Sequence, residues 1–202
     1  MMRAKKLSND VWELSGGLQP SSNVYYIKSM QLLIDLASEK NKADLLQQLE
    51  FINVKVEDIK IIILTHFHFD HIGNSKLFKH AKFYASEDEI ISYRFAPRKT
   101  TGSTGKEIEG INIKKIPERI GILKIIKTPG HTRGSICILK EDDKILFTGD
   151  TLFRNGAVGC TKLPTSVPKK MEESLKTLLA IPHNELGPGH NLEDGLILQQ
   201  HH

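Results

Sequence analysis

Three features of the sequence predict an α+β chain in which helices cover β-sheets. Short apolar runs of strand length recur along it, two helical segments each show one apolar face, and glycine and proline punctuate the intervals between them. In chain order, Val11–Leu14, Val24–Ile27 and Gln31–Leu36 read as strands, most of them rich in isoleucine, valine or leucine. Ser38–Phe51 reads as a helix, with Ser38 as its N-cap and Leu45, Leu46, Leu49 and Ile52 on one face. Strands follow at Lys60–Thr65 and Lys82–Ala85, and Glu87–Tyr93 suits a shorter helix. Pro97–Gly110, with three glycines and several polar residues, reads as a mobile loop and a candidate lid. The strands Ile122–Thr128, Ser135–Lys140 and Lys144–Thr148 come next. After Pro168, which suits a first helical turn, Met171, Leu175, Leu178 and Leu179 recur at helical spacing until Pro182 stops the helix.

Composition bounds the function classes. A chain of 202 residues with 39% hydrophobic and 26% charged residues can bury one sizeable core, so residues 1–202 are read as a single domain. No apolar run approaches the roughly 18 to 20 residues that span a bilayer, which argues against a membrane role. The basic start, with Arg3, Lys5 and Lys6, lacks an apolar stretch and a small-residue cleavage site, so a cytoplasmic location is expected. Cys137 and Cys160 cannot make a disulfide framework and are read as free thiols. Net charge is +4 with acidic and basic residues mixed, so no nucleic-acid partner is expected.

Nine histidines are more informative by position than by number. His66-Phe67-His68-Phe69-Asp70-His71 follows an apolar strand and gathers three imidazoles and a carboxylate within six positions. A random arrangement of the chain's His and Asp residues yields this pattern about once in a thousand sequences of this length. In an extended segment His66, His68 and Asp70 share a face, and a turn after Asp70 brings His71 alongside. So many imidazoles packed together are costly unless a cation draws them into one coordination shell. Further ligand candidates lie downstream, each directly after a glycine: His131 in Thr128-Pro-Gly-His-Thr132, Asp150 in Phe147-Thr-Gly-Asp150, and His190 in Gly187-Pro-Gly-His190. Glycine permits the close backbone approach that such strand-end loops need. Nitrogen and carboxylate donors without thiolate suit two divalent ions, zinc first, with iron or manganese also compatible. His80 and His183 have no ligand partners nearby in sequence and are read as surface or turn residues. His201 and His202 are left out of the site.

Together these motifs resemble the metallo-β-lactamase superfamily across nearly the whole chain. The resemblance implies a four-layer αββα sandwich with metals at one edge of two mixed sheets. It implies that His66, His68 and His131 hold one metal, that Asp70, His71 and His190 hold a second, and that Asp150 bridges them. Asp35 matches the buried aspartate that supports such a centre, although Leu36-Ala37 stands where Thr-Gly is usual. Thr128-Pro-Gly-His-Thr-Arg-Gly-Ser135 and Gly149-Asp-Thr-Leu-Phe153 are similar to the glyoxalase II branch, the hydroxyacylglutathione hydrolases and their smaller relatives. That branch implies a thioesterase or ester hydrolase in which hydroxide bridging the two metals attacks a small, anionic thioester, with Asp70 as the catalytic carboxylate. The glutathione-holding C-terminal helices of the branch have no counterpart in the 12 residues after His190, and Cys160 and Lys162 stand where arginine and aspartate are usual. Arg154 and Lys162 are candidates to meet an acidic substrate group. Two alternatives share these residues: a mononuclear iron persulfide dioxygenase using His66, His131 and Asp150, and a lactonase or phosphodiesterase.

Overall fold

The computed structural model describes residues 3–191. Seven strands form the first sheet in chain order: β1 (Arg3–Lys6), β2 (Val11–Ser15), β3 (Val24–Ile27), β4 (Leu32–Ile34), β5 (Ile61–Ile63), β6 (Lys82–Ala85) and β7 (Ile113–Lys115). The first four pair antiparallel, and β4 to β7 run parallel. Parallel neighbours need crossover connections. These are supplied by α1 (Lys42–Phe51) between β4 and β5, α2 (Phe69–Ile72) between β5 and β6, and α3 (Glu87–Phe95) with α4 (Pro97–Thr101) between β6 and β7. The second sheet joins β8 (Arg119–Ile120), β9 (Leu123–Lys127), β10 (Ile136–Lys140), β11 (Ile145–Gly149) and β12 (Glu185–Pro188), with α5 (Pro168–Leu179) between β11 and β12. All its pairs are antiparallel except β11–β12.

Side-chain alternation along the strands makes the layers. Leu32, Ile34, Ile63, Ile136, Ile138, Ile145 and Phe147 point between the sheets and pack with Tyr25 and Ile27. Their neighbours point outward. Leu33, Ile62 and Phe83 on the first sheet meet Leu45 and Leu49 of α1, while Cys137 and Leu146 on the second meet Leu178 of α5. The result is the expected four-layer αββα order. Among the described residues no helix is long and apolar enough to cross a membrane.

Several elements differ from expectation for identifiable reasons. The strand at Gln31–Leu36 shortens to Leu32–Ile34 because Gln31 and Asp35 adopt left-handed backbone, with φ of 48° and 57°. Ser38 precedes a 3-10 turn over Glu39–Asn41, and the α-helix begins only at Lys42. Leu179, expected on the apolar face of α5, is 70% exposed, one position past the face set by Met171 and Leu178. Pro97–Gly110 is not a loose loop: Thr100, Thr101 and Ile108 are buried, and the Tyr93 hydroxyl donates to the Gly105 carbonyl at 2.7 Å. The strands β1, β7 and β12 carry no apolar run. Charge masks the first two, and glycine and proline mask β12, tolerated there because it is an edge strand. His201 and His202 lie outside the described residues.

Candidate metal centre

Both sheets deliver polar residues to one edge of the sandwich, where β4, β5, β9, β11 and β12 end. Asp35 follows β4, the 66–71 segment follows β5, His131 follows β9, Asp150 follows β11 and His190 follows β12. The 66–71 segment is not extended throughout. His68 occupies the position before the single turn of α2, so Asp70 and His71 sit on a helical turn, and that turn brings these sequence neighbours inward together. Gly189 is required by proximity, because any Cβ there would collide with Oδ1 of Asp150.

All seven candidates are buried, and their donor atoms form three overlapping groups, each with its atoms within 4.8 Å of one another: His66, His68 and His131; His66, His71 and Asp150; and Asp70, His71 and His190. The ring protons can be placed by elimination. The Cys160 carbonyl can only accept, so His131 donates from Nδ1 at 2.8 Å and presents Nε2 inward. Thr65 gives its hydroxyl proton to Asp35 at 2.7 Å and so accepts from His66 Nδ1 at 3.1 Å, which turns His66 Nε2 inward. His71 likewise donates from Nδ1 to Asp35 at 2.8 Å. The inward Nε2 atoms of His66 and His131 then lie 3.1 and 2.9 Å from Nδ1 of His68. A neutral His68 has one proton to offer two lone pairs. Convergence of this kind fits a cation, which resolves the repulsion among the three nitrogens.

The second half is richer in carboxylate. His71 Nε2 lies 3.3 Å from His190 Nε2, and His190 Nε2 lies 3.3 Å from Oδ2 of Asp70. Asp150 faces both halves: its Oδ1 is 3.3 Å from His71 and 3.5 Å from His190, and its Oδ2 is 3.4 Å from His131. Oδ1 of Asp150 and Nδ1 of His190 are buried without a hydrogen-bond partner among the described residues, a further sign that the protein atoms alone do not complete the cluster. Burial, aided by neighbouring imidazoles, holds His66 well below the usual histidine value and drives His68 down to about 3. Burial also lowers His131. For His71 and His190 burial is outweighed, chiefly by Asp150, so His71 is raised well above its usual value and His190 to about 9. Asp70 resists burial through the His190 hydrogen bond and falls to about 2, and Asp150 is also held well below the usual carboxylate range.

Other candidates fall outside this cluster. Arg154 is engaged elsewhere, with Glu13 at 2.8 Å, the Leu186 carbonyl at 2.8 Å and Asn191 at 2.5 Å, which anchors the chain around His190 instead of presenting a free cation. Lys162 is exposed, and His183 donates from Nδ1 to the Ile181 carbonyl at 2.8 Å within its turn. Cys137 is buried, which pushes its thiol up to about 11. Thr65 and the Cys160 carbonyl orient ligand candidates yet escaped the sequence reading. Thr65 could have been found from its position beside His66, whereas a main-chain carbonyl has no sequence signal.

A family model described as the metallo-beta-lactamase superfamily matches residues 16–190, and the chain belongs to that superfamily. A probable metallo-hydrolase of Methanocaldococcus jannaschii is 33% identical over 89% of this chain and 92% of its own. A probable polyketide biosynthesis zinc-dependent hydrolase of Bacillus velezensis is 31% identical over 84% of this chain and 73% of its own. A hydroxyacylglutathione hydrolase of Brucella anthropi is 36% identical, over 61% of this chain and 44% of its own. A protein solved in a di-iron-bound form overlays with a TM-score of 0.72 at 28% identity, covering 88% of this chain and 91% of that one. These relatives place the chain in a metallo-hydrolase family, and its own His and Asp residues form groups that could hold metal.

Proposed function

We propose that the protein is a dinuclear metallohydrolase of the glyoxalase II-like kind, cleaving a small anionic thioester or related ester. The observation that carries this reading is the position of Asp150, whose two oxygens face the two histidine groups separately. In this reading His66, His68 and His131 would hold one ion and Asp70, His71 and His190 the other, with Asp150 as a ligand available to both. Zinc is the first choice for this nitrogen and oxygen donor set, and the zinc-dependent relative supports it, while the di-iron relative keeps iron in play. Two divalent ions held there would supply Lewis acidity toward a water and the acyl oxygen. Asp70 remains ionised there, and its carboxylate orients the attacking water and accepts its proton. Asp150 stays anionic, its carboxyl held well below the usual range by the imidazoles of His190 and His71 against the effect of burial. Two carboxylates against two divalent ions leave the centre cationic, which favours an anionic acyl donor.

Elemental analysis of protein purified without added metal, followed by a thioester hydrolysis assay on the same sample, tests the reading. Two equivalents of metal with hydrolysis are expected, and Asp70→Ala should abolish turnover. Near-normal turnover in that variant would overturn the dinuclear mechanism. One equivalent of iron with oxygen uptake on a persulfide would replace hydrolysis by dioxygenase chemistry.

A further inference from the structure

Ser86-Glu87-Asp88-Glu89 has the sequence of a capping box, in which the serine caps the third helical N–H and the glutamate turns back to the serine's own N–H. Only half of that box forms. Ser86 Oγ accepts the Glu89 N–H at 3.2 Å, as expected for the start of α3. The Glu89 carboxylate instead reaches two distant segments. One oxygen accepts the Phe67 N–H at 2.9 Å, and the other accepts the Thr132 hydroxyl at 2.6 Å and the Gly134 N–H at 3.1 Å. Ser86 adds a second tie by donating to the Gly134 carbonyl at 2.6 Å.

Glu89 is 1% exposed and makes no ion pair among the described residues. A carboxylate buried without a cation is costly, and three donors together with a helix N-terminus offset part of that cost, burial still raising its carboxyl above the usual value. The three donors occupy telling positions. Phe67 lies between His66 and His68, and Thr132 directly follows His131. A displacement at Phe67 moves two imidazoles and a displacement at Thr132 moves the third, while metal sites tolerate ligand displacements of only about 0.2 Å. The approach is tight as well. A Cβ on Gly134 would lie 2.5 Å from both the Glu89 nitrogen and Ser86 Oγ, so α3 abuts the 132–134 turn backbone to backbone.

We propose that Glu89 is a positioning residue of the metal centre, its carboxylate fixing the separation between the segment that carries His66 and His68 and the turn that carries His131. The inference rests on the reading of those three imidazoles as one metal-binding group. Asp35 works differently, since it serves both groups: it grips Thr65, which holds His66, and it also accepts from His71. Glu89 touches no ligand side chain and acts only through the backbone and Thr132, so its influence falls on how well the group is preformed. It falls on one group and leaves the second, formed by Asp70, His71 and His190, in place.

The test is zinc affinity, measured by competition with a chromophoric chelator on metal-stripped protein, resolving the first and second equivalents. Thermal unfolding of the metal-free protein is recorded alongside. Glu89→Gln retains the shape but turns a donor toward one of the three donors it must accept from, and Thr132→Val removes one of those donors together with the hydroxyl's contact to Ser135 Oγ at 2.8 Å. Glu89→Gln should weaken one equivalent by about 10- to 100-fold and Thr132→Val by less, with the other equivalent within about twofold. Exposed Glu87→Gln should change neither. Unaltered zinc affinity in both Glu89→Gln and Thr132→Val, with any loss confined to the unfolding temperature, would reduce Glu89 to a structural group and overturn the proposal. Should Glu89→Gln fail to fold, Thr132→Val decides by the same criterion. Wild-type protein that binds no zinc, or whose tight equivalent survives His131→Ala, would overturn the metal-centre reading as well. Thioesterase failure with intact zinc binding would overturn only the assigned reaction.

Discussion

Two clusters of buried charge lie at opposite ends of the sandwich, and they are built on different terms. At the end far from the histidines, Lys140 is buried and its Nζ meets Asp142 at 2.8 Å, Asp143 at 2.7 Å and Asp10 at 3.1 Å. Asp10 also accepts the Ser29 N–H and hydroxyl, each at 2.7 Å, and Asp143 accepts the Ser8 hydroxyl at 2.9 Å. This cluster ties the turn after β10 to the segments flanking β2 and β3, and so joins the two sheets. Burial would lower the Lys140 ammonium, but the surrounding carboxylates raise it above the usual lysine value. Its charges are matched by partners the chain itself provides. At the other end, lone pairs face one another and two buried atoms have no partner among the described residues. The contrast separates a polar group kept for stability from one arranged for a guest: the first is complete as folded, and the second is complete only when something binds.

This contrast can be broken or sharpened by substitution. The largest effect is expected from Asp150→Ala, which should lower hydrolysis at least about a hundredfold and reduce bound metal below two equivalents, while the fold persists by circular dichroism. Full metal content in that variant would remove Asp150 from the centre. Lys140→Met should do the reverse, leaving metal content intact and costing about 1–2 kcal/mol of stability, since the carboxylates it abandons are partly exposed. A drop of a few degrees in Tm is the readout, and loss of metal would show that the two ends are coupled. Asp10→Asn should be milder. The Asp10 carboxyl is pulled below its ordinary 3.8 because hydrogen bonds from Ser29 and the Lys140 charge outweigh the effect of burial. Its contribution is therefore present in full above about pH 4 and disappears as pH falls through the lowered folded value. Unfolding curves of wild type and variant should differ at neutral pH and converge in acid. His183→Ala, which loses one hydrogen bond within its own turn, should leave metal content and activity unchanged.

The proximity of the seven donor residues was legible because its signals are local: four lie within six positions, and the other three each follow a glycine at a strand end. The layering was legible for the same kind of reason, since isoleucine-rich strands and the apolar stripe of α5 declare their buried faces. What sequence did not reveal depends on contacts between distant segments or on main-chain atoms. Asp35 had a visible carboxylate but not the left-handed turn, at φ 57°, by which the chain leaves β4 there. Glu89 matched a local capping motif so well that nothing suggested partners 22 and 43 residues away. Pro97–Gly110 had loop composition, yet Thr100, Thr101 and Ile108 are buried, with Ile108 in the same apolar cluster as Phe83 and Ala85 of the first sheet.

The contact between His131 and the carbonyl of residue 160 bears on how this chain can diverge. Every amino acid carries that acceptor, and the Cys160 sulfur itself only receives the N–H of Lys162. Position 160 is thus free to drift: a saturation library there should retain many survivors. At Gly189, where a single added carbon strikes Asp150, the same library should return almost nothing but the parent codon.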